Sequence, residues 1–189
     1  TVTDVNDAPV LDAIADANIN ETEPFSVTAS AQDQDSGDTL TYSLTAAPPN
    51  ATIDSASGEI SWEPSEEQGP GEYTLTVKVT DSGTPPLTDE TSFALTVAEL
   101  NGAPLIGTIG DREVNELEEL AFSVSASDAD LPKQQLIYAL DETSLAAGMT
   151  IVSNTGAFAW TPAEAQGPGS YPVTVTVTDG ALAPPPVVT

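Results

Sequence analysis

The chain has 189 residues, of which 30 are Asp or Glu and three are Lys or Arg, so its formal net charge is −27. This charge repels phosphate backbones and anionic headgroups, which excludes nucleic acid and acidic membranes as partners. Cys and His are both absent, which also excludes disulfides, thiol nucleophiles, imidazole bases and the usual zinc sites.

The sequence contains an internal repeat. NDAPVLDAI at 6–14 is matched by NGAPLIGTI at 101–109, an offset of 95 residues. WEPSEEQGPGEYTLTVKVTD from Trp62 is matched by WTPAEAQGPGSYPVTVTVTD from Trp160, an offset of 98 residues. Self-similarity at a fixed spacing indicates repeated structural units. We therefore expect two modules, 1–99 with a leading linker at 1–8, and 100–189.

Period-2 apolar runs bounded by turn residues predict seven strands in the first module. In chain order they are A near Val10–Ile19, B at Phe25–Ala31, C at Leu40–Thr45, D near Thr52, E at Glu59–Trp62, F at Tyr73–Thr80 and G at Thr91–Val97. Helical periodicity of useful length is absent. Seven short strands in under 100 residues predict an all-β fold, with two tandem seven-stranded Greek-key β-sandwich modules.

The two Trp residues and two of the Tyr residues occupy equivalent places in the modules. Trp62 shares the strand parity of Ile60, and Trp160 that of Phe158, so we expect both indoles in or beside the core rather than as outward sugar platforms. Tyr73 follows the QGPG turn at the start of strand F, as does its equivalent Tyr171, which is typical of a tyrosine corner.

The second module ends differently from the first. Its last residues, PPPVVT at 184–189, contain nothing like TSFALTV at 91–97, so its strand G is expected to be incomplete. TVTDVNDAP at 1–9 has the pattern of the tail of a preceding strand G. We expect a fragment of an array, in which the following segment or a neighbouring chain supplies the missing strand.

Strand order predicts that the acidic residues converge at the module ends. The start of A, the B–C loop and the F–G loop share a leading pole, with Asp4, Asn6, Asp7, Asp33, Asp35 and Asp81. The A–B turn, the E–F loop and the exit from G share the other pole, with Glu21, Glu23, Glu66, Glu99 and Asn101. The second module brings Asp128, Asp130 and Asp179 to this inter-module junction.

Such clusters favour Ca²⁺ binding. Two carboxylates ~5 Å apart repel by roughly 3 kcal/mol at an effective dielectric near 20, so an empty cluster is expected to splay open. Ca²⁺ accepts six to eight oxygen ligands in flexible geometry, whereas Mg²⁺ demands a tighter octahedron. The alternative is that these are ordinary solvated turn acids, because turns favour Asp and Asn.

Several motifs together resemble cadherin repeats. DVNDAP at 4–9 resembles the inter-repeat linker, Asp33-Gln34-Asp35 and Asp128-Ala129-Asp130 resemble the DxD pair, and YTLTVKVTDSGTPPL from Tyr73 resembles the F-strand signature. The WxPxxxQGPGxY stretch is more similar to bacterial cadherin-like modules, including the dystroglycan-type ones. The resemblance covers nearly all of both modules.

The resemblance implies a shared Ca²⁺ site at the junction. Its ligands would come from Glu21 or Glu23, Glu66, Glu99, Asn101, Asp128, Asp130 and Asp179. Glu99 and Gly102 stand where the first linker has Asp4 and Asp7, and PSEEQGPG replaces the DRE motif of the family. We therefore expect one or two ions at the junction, fewer than in a vertebrate cadherin.

These features predict a non-enzymatic, calcium-binding repeat of a bacterial surface or secreted protein, acting as an adhesion or stalk segment. Its expected partners are neighbouring repeat modules, homophilic protein contacts or polysaccharide, with no membrane insertion in this fragment. One alternative is a calcium-dependent carbohydrate-binding module, and another is a filament unit completed by strand donation. A glycosidase needs a cleft with two acids at a defined separation, which end loops of a small sandwich do not offer.

Overall fold

The structure, a computed structural model, describes residues 5–180 and the backbone of residues 187–188. The chain divides into two compact units, Thr1–Leu100 and Asn101–Thr189, with the boundary one residue later than the sequence analysis places it. We refer to them as unit 1 and unit 2. No helix within the described residues has the length and apolarity needed to cross a membrane.

The described residues of unit 1 form strands of two to eleven residues and one 3₁₀ turn at Glu66–Gln68. Its described strands are β1 Val10–Leu11, β2 Ala17–Asn20, β3 Phe25–Thr28, β4 Ala31–Gln32, β5 Thr41–Ala46, β6 Thr52–Ile53, β7 Glu59–Trp62, β8 Gly71–Thr80 and β9 Thr88–Ala98. The main sheet has the order β2-β9-β8-β5, and the sheet that faces it has the order β3-β7-β6. β1 and β4 pair separately at one end.

The predicted strand A is wrong as a single strand, because its two ends belong to different sheets. At its start, β1 pairs with β4, and Asp12 N donates a hydrogen bond to Ser30 O. At its end, β2 pairs in parallel with β9, and the Asp16 carboxylate accepts a hydrogen bond from Ala94 N. The chain between them crosses from one sheet to the other. Strand B is divided in the same way into β3 and β4.

Unit 2 repeats this arrangement with shorter strands. Its described elements are β10 Leu105–Ile106, β11 Leu120–Ser123, β12 Ala126–Ser127, β13 Ile137–Leu140, α1 Glu142–Ala146, β14 Thr150–Ile151, β15 Ala157–Trp160, a second 3₁₀ turn Glu164–Gln166, β16 Val175–Thr178 and β17 Val187–Val188. The sheet orders are β10-β12, β11-β15-β14 and β13-β16-β17. α1 was not predicted, since five residues are too few for helical periodicity. Asp141 caps it by accepting a hydrogen bond from Ser144 N.

Each unit has its own apolar core between the two sheets. In unit 1 the alternate residues Leu75, Val77 and Val79 of β8 are fully buried. In unit 2 the equivalent strand buries Val175 and Val177. Both units are therefore nearly all-β with a sandwich-like arrangement of sheets, as the sequence predicts.

The predicted burial of the indoles is confirmed. Trp62 is 2% exposed and Trp160 is 8% exposed. The Trp62 Nε1 donates to Pro49 O, and the Trp160 Nε1 donates to Ala147 O, which satisfies both polar atoms inside the fold.

Candidate metal sites

Three glutamates of unit 1 meet at the end of its main sheet. Glu21 follows β2, Glu66 opens the 3₁₀ turn and Glu99 follows β9. One carboxylate oxygen from each lies within 4.8 Å of the others. We call these three residues the trailing cluster of unit 1. The sequence prediction placed all three at this pole.

Backbone pairing determines this convergence. The parallel pairing of β2 with β9 ends at Asn20 opposite Ala98, so the next residue of each strand is a glutamate. Glu21 N donates to Ala98 O at 3.1 Å. Thr22 N then donates to Pro64 O at 2.7 Å, which brings the loop before Glu66 to the same place. Thr22 has a φ of 57°, so the chain turns sharply after Glu21.

The carboxylate of Glu21 is fully buried, with 0% exposure. Its Oε1 accepts a hydrogen bond from Leu100 N at 3.0 Å. Its Oε2 is also buried and has no hydrogen-bond partner. Burying an unpaired carboxylate oxygen costs several kcal/mol unless a cation or proton compensates it. The position of Glu21 beside two further carboxylates therefore suits a bound cation.

A set of aromatic and amide contacts supports the loop that carries Glu66. The Gln68 side chain accepts from Ser65 N and donates to Pro49 O. The Tyr73 hydroxyl donates to Gln68 O at 2.7 Å, and its ring packs edge-on against Trp62 at 5.0 Å. Unit 2 repeats these contacts. The Gln166 side chain accepts from Ala163 N and donates to Ala147 O, and the Tyr171 hydroxyl donates to Gln166 O. The Tyr171 ring packs edge-on against Trp160. The structural role predicted for both Tyr residues is confirmed.

At the other end of each unit, an Asn of the leading segment contacts the Asp that follows β8 in unit 1 or β16 in unit 2. In unit 2, the Asn101 Nδ2 donates to Asp179 Oδ2 at 3.1 Å. Gly102 N donates to Asp130 Oδ2, and Asp130 N donates to Asp128 Oδ1. Oxygens of Asp128, Asp130 and Asp179 lie within 4.8 Å of one another. We call these three Asp residues with Asn101 the leading cluster of unit 2.

The same contacts recur in unit 1. Asn6 Nδ2 donates to Asp81 Oδ2 at 3.1 Å, Asp7 N donates to Asp35 Oδ2 at 2.7 Å, and Asp35 N donates to Asp33 Oδ1 at 2.9 Å. The grouped oxygens here belong to Asp33, Asp35 and Asp38. Asp81 is 4% exposed and also accepts hydrogen bonds from two backbone amides, Gly83 N and Leu87 N. We call Asp33, Asp35, Asp38 and Asp81, together with Asn6, the leading cluster of unit 1.

Two residues of the predicted ligand sets are placed differently from the prediction, and a third lies outside the described residues. The exposed Glu23 accepts a hydrogen bond from the Asn20 side chain and is outside the trailing cluster. The exposed Asp7 joins the leading cluster through its backbone amide. Asp4 lies outside the described residues.

The predicted ligand sets leave out Asp38, Glu116 and Glu164, and of these described residues only Asp38 lies in one of the three carboxylate groups. Asp38 joins Asp33 and Asp35, and it accepts a hydrogen bond from Ser82 Oγ at 3.0 Å. Glu116 and Glu164 are the repeat equivalents of Glu21 and Glu66. The signal for Glu116 was available, because NETE at 20–23 aligns with NELE at 115–118 at the same offset of 95.

The spacing of these oxygens suits a large divalent cation. Ca²⁺ binds oxygens at 2.3–2.6 Å, so ligand atoms on opposite sides of one ion are roughly 5 Å apart. The 4.8 Å limit within each group is compatible with that distance. Asp33 and Asp128 each also contribute a buried Oδ2 without a hydrogen-bond partner.

The chain is similar to an Ig-type family and to two protocadherins. Residues 8–98 and 103–183 each match the family described as "Putative Ig domain". Human protocadherin Fat 1 is 30% identical over 153 residues, covering 73% of this chain and 3% of that protein. Human protocadherin gamma-A6 is 39% identical over 79 residues, covering 39% of this chain and 8% of that protein. The chain thus spans under a tenth of either relative.

A solved cadherin structure has a similar fold. The EC22–24 fragment of mouse cadherin-23 matches with a TM-score of 0.61 at 20% identity, covering 97% of this chain and 65% of that one. At this identity the likeness concerns the fold alone. The resemblance to cadherin-like repeat modules is confirmed.

Proposed function

Because the chain belongs to the putative Ig domain family, with one copy in each unit, we propose that it is a calcium-binding segment of an extracellular surface or secreted protein. It acts in adhesion or as a structural stalk. The cadherin-like fold supports this coarse role. Calcium binding and a bacterial origin are proposed in addition to this role.

One observation carries the calcium assignment. Glu21 is fully buried, and its Oε2 lies without a hydrogen-bond partner in a group that also contains Glu66 and Glu99. A solvated surface acid would be exposed, and a buried neutral acid would find a hydrogen-bond acceptor or donor. A divalent cation at this point would reduce the repulsion among the three carboxylates and supply the partner that Glu21 Oε2 lacks.

The leading clusters support the same assignment independently. Two units that differ in sequence retain three contacts. The Asn side chain donates to the Asp after the strand, the linker amide donates to the second Asp of DxD, and the backbone amide of this second Asp donates to the first Asp. These contacts turn the carboxylates toward a common point. They leave the buried Oδ2 of Asp33 and of Asp128 available as ligands.

A bound ion would connect elements that are distant in sequence. In the trailing cluster it would join the ends of β2 and β9 to the 3₁₀ turn. A ligand that binds only the folded state stabilises it by RT ln(1 + [L]/Kd), about 2.7 kcal/mol at a hundredfold excess over Kd. The expectation that successive units share ions at the junction stays a prediction.

The carbohydrate-binding alternative receives no support from the aromatic residues. It required outward-facing rings, whereas Trp62 and Trp160 are buried with their Nε1 atoms bonded to backbone carbonyls. The adhesive role would instead come from many weak contacts along an array of such units, which add by avidity.

A calcium titration of the whole 189-residue chain tests the proposal. We expect saturable heat release by calorimetry, a rise in melting temperature in Ca²⁺ relative to chelator, and a smaller rise in Mg²⁺ at equal concentration. Small-angle scattering in the same buffers measures whether Ca²⁺ changes the maximum dimension. A melting temperature and dimension that are the same in Ca²⁺ and in chelator would contradict the calcium assignment.

A further inference from the structure

The QGPG turn has the same sequence in both units, at 68–71 and at 166–169. Its Gln side chain accepts a hydrogen bond from the backbone at the start of the 3₁₀ turn, and the Tyr that follows donates to the Gln carbonyl. Neither contact requires the first glycine of the turn, Gly69 or Gly167. The backbone does not require it either, because both residues are extended, with φ of −111° and −101°, which any residue adopts. The cause of this glycine must therefore lie in its surroundings.

The space beside Gly69 is occupied by the side chain of Glu21. A Cβ at Gly69 would overlap Glu21 Oε2, and it would lie 2.8 Å from Cδ and 3.0 Å from Cβ of the same residue. Nonbonded carbon atoms have their optimal separation at about 3.5–4.0 Å, so even an alanine does not fit beside this carboxylate. Gly69 and Glu21 are both buried. The carboxylate therefore packs directly against the backbone of the turn.

The Glu21 carboxylate is thus fixed from two sides. Its Oε1 accepts a hydrogen bond from Leu100 N at 3.0 Å, and Gly69 lies against its Oε2, which has no hydrogen-bond partner. The 3₁₀ turn that ends at Gly69 begins with Glu66, whose carboxylate belongs to the same cluster. One short segment therefore supplies one carboxylate of the trailing cluster and the space for a second.

Unit 2 repeats the contact between glycine and glutamate. A Cβ at Gly167 would overlap Glu116 Oε2 and would lie 3.1 Å from its Cδ. Glu116 and Gly167 are both exposed, so this carboxylate has solvent into which it can move. The second glycine of the turn has a different neighbour, since a Cβ at Gly71 would lie 3.0 Å from Tyr73 Cε2. Within the QGPG turn, the first glycine is therefore the one that faces the glutamate.

We propose that Gly69 is a positioning residue of the trailing cluster of unit 1, because its missing side chain leaves the space in which the Glu21 carboxylate lies beside Glu66 and Glu99. We call this space the carboxylate seat. The seat is a property of the protein alone, whereas its effect on Ca²⁺ rests on the proposed function, since a displaced Glu21 would no longer complete the ligand set. Groups that orient metal ligands typically change metal affinity by about tenfold to a hundredfold, and Gly69 should act within this range.

The backbone amide of Leu100 reports the position of the Glu21 carboxylate, because it donates to Oε1. Heteronuclear NMR of the whole 189-residue chain in chelator compares the unmodified protein with Gly69→Ala and Gly71→Ala. In Gly69→Ala the Leu100 amide signal should move upfield and exchange faster with solvent, since it loses a charge-assisted hydrogen bond. In Gly71→Ala the signal should keep its position, because that substitution meets Tyr73. An unchanged Leu100 signal in a folded Gly69→Ala variant would overturn the seat.

The same signal measures the calcium affinity of the trailing cluster separately from the leading clusters. Ca²⁺ is titrated into each chain, and the half-saturating concentration is read from the Leu100 amide. It should rise at least about tenfold in Gly69→Ala and change by less than about twofold in Gly71→Ala and in Gly167→Ala, the matched variant of unit 2. Equal half-saturation of Gly69→Ala and the unmodified chain would overturn the positioning role. If the unmodified chain shows no response, the calcium site itself is wrong, and the comparison in chelator still decides the seat.

A double variant separates the crowding of Glu21 from other effects of the added methyl group. Gly69→Ala should reduce the calcium-induced rise in melting temperature of the unmodified chain, but not that of Glu21→Ala, because substitutions that act through one contact are not additive. The double variant also covers a Gly69→Ala chain that does not fold, since removing the Glu21 carboxylate should then restore a dispersed NMR spectrum. A double variant that stays unfolded, or one with a further loss of the calcium-induced rise, would overturn the proposal, since Gly69 would then be needed for a reason other than Glu21.

Discussion

Asn6 donates a hydrogen bond from Nδ2 to Oδ2 of Asp81, which lies 75 residues later in the chain, at 3.1 Å. In unit 2, Asn101 makes the same contact with Asp179 at 3.1 Å. An amide at this position attaches the leading segment to the carboxyl end of the long strand without adding charge. The leading segment is thereby fixed beside the acidic cluster whether or not a cation is bound.

Replacing Asn6 by Asp tests this arrangement. In chelator the variant loses the hydrogen bond and places two carboxylates in contact, so the free energy of unfolding of unit 1 should fall by roughly 3–4 kcal/mol. In Ca²⁺ the added carboxylate becomes a ligand, and much of the loss should disappear. Urea denaturation in both buffers measures the difference. Asn18→Asp, at an exposed position of β2, is the matched control. An equal loss in both buffers would show that no cation binds there.

Glu21→Gln should have opposite effects with and without calcium. In chelator it removes a fully buried charge beside two carboxylates while Oε1 still accepts from Leu100 N, so the melting temperature should rise. In Ca²⁺ the variant should lose much of the calcium-induced rise. Glu23→Gln, an exposed position outside the cluster, should resemble the unmodified chain. A drop in melting temperature in chelator would indicate that Glu21 is held by the protein alone.

Asp128→Asn separates metal binding from folding in unit 2. The Asp128 Oδ1 accepts from Asp130 N, and an amide oxygen keeps that bond, whereas Oδ2 has no hydrogen-bond partner to lose. We expect stability in chelator to change by less than about 1 kcal/mol. The calcium affinity of this cluster should fall roughly tenfold, which corresponds to about 1.4 kcal/mol. Calorimetric titration measures it, with the exposed Asp111→Asn as control. Unchanged affinity would remove Asp128 from the ligand set.

Tyr73→Phe and Tyr171→Phe form a matched pair. Both hydroxyls donate to a Gln backbone carbonyl, at 2.7 Å in unit 1 and 2.9 Å in unit 2. Because the bond in unit 1 is partly buried and the one in unit 2 is exposed, we expect a loss of about 1 kcal/mol for Tyr73→Phe and a smaller loss for Tyr171→Phe. Denaturant unfolding compares them. Equal losses would contradict the difference in burial between the two hydrogen bonds.

Much of the candidate site follows from strand order in the sequence. Glu21 and Glu99 could be placed together because each follows a strand that ends at the same pole. Glu23 could not be separated from Glu21, since the distinction depends on the turn at Thr22, after which the Glu23 carboxylate accepts from Asn20. Asp38 was missed because a turn, with Asp38 N donating to Asp35 O, brings it to the pair. Alternation along a strand does not reveal such a turn.

The pairing partners of the strands were less predictable than their positions. β7 begins and ends where the sequence predicts, at Glu59–Trp62. Strand A could not be divided correctly, since period-2 alternation marks a buried face but not the sheet to which that face belongs. The short helix α1 depends on one cap, Asp141, and on five residues. Five residues carry too little helical periodicity to be distinguished from the strands and turns around them.

The parallel pairing of β2 with β9 determines how unit 1 responds to a pulling force. β2 lies near the start of unit 1 and β9 near its end, and residues 17–20 run alongside residues 95–98 in the same direction. Tension between the two chain ends then draws the strands past each other lengthwise. The hydrogen bonds of the pair bear the load together instead of opening one after another, and such shear resists extension more strongly than unzipping does.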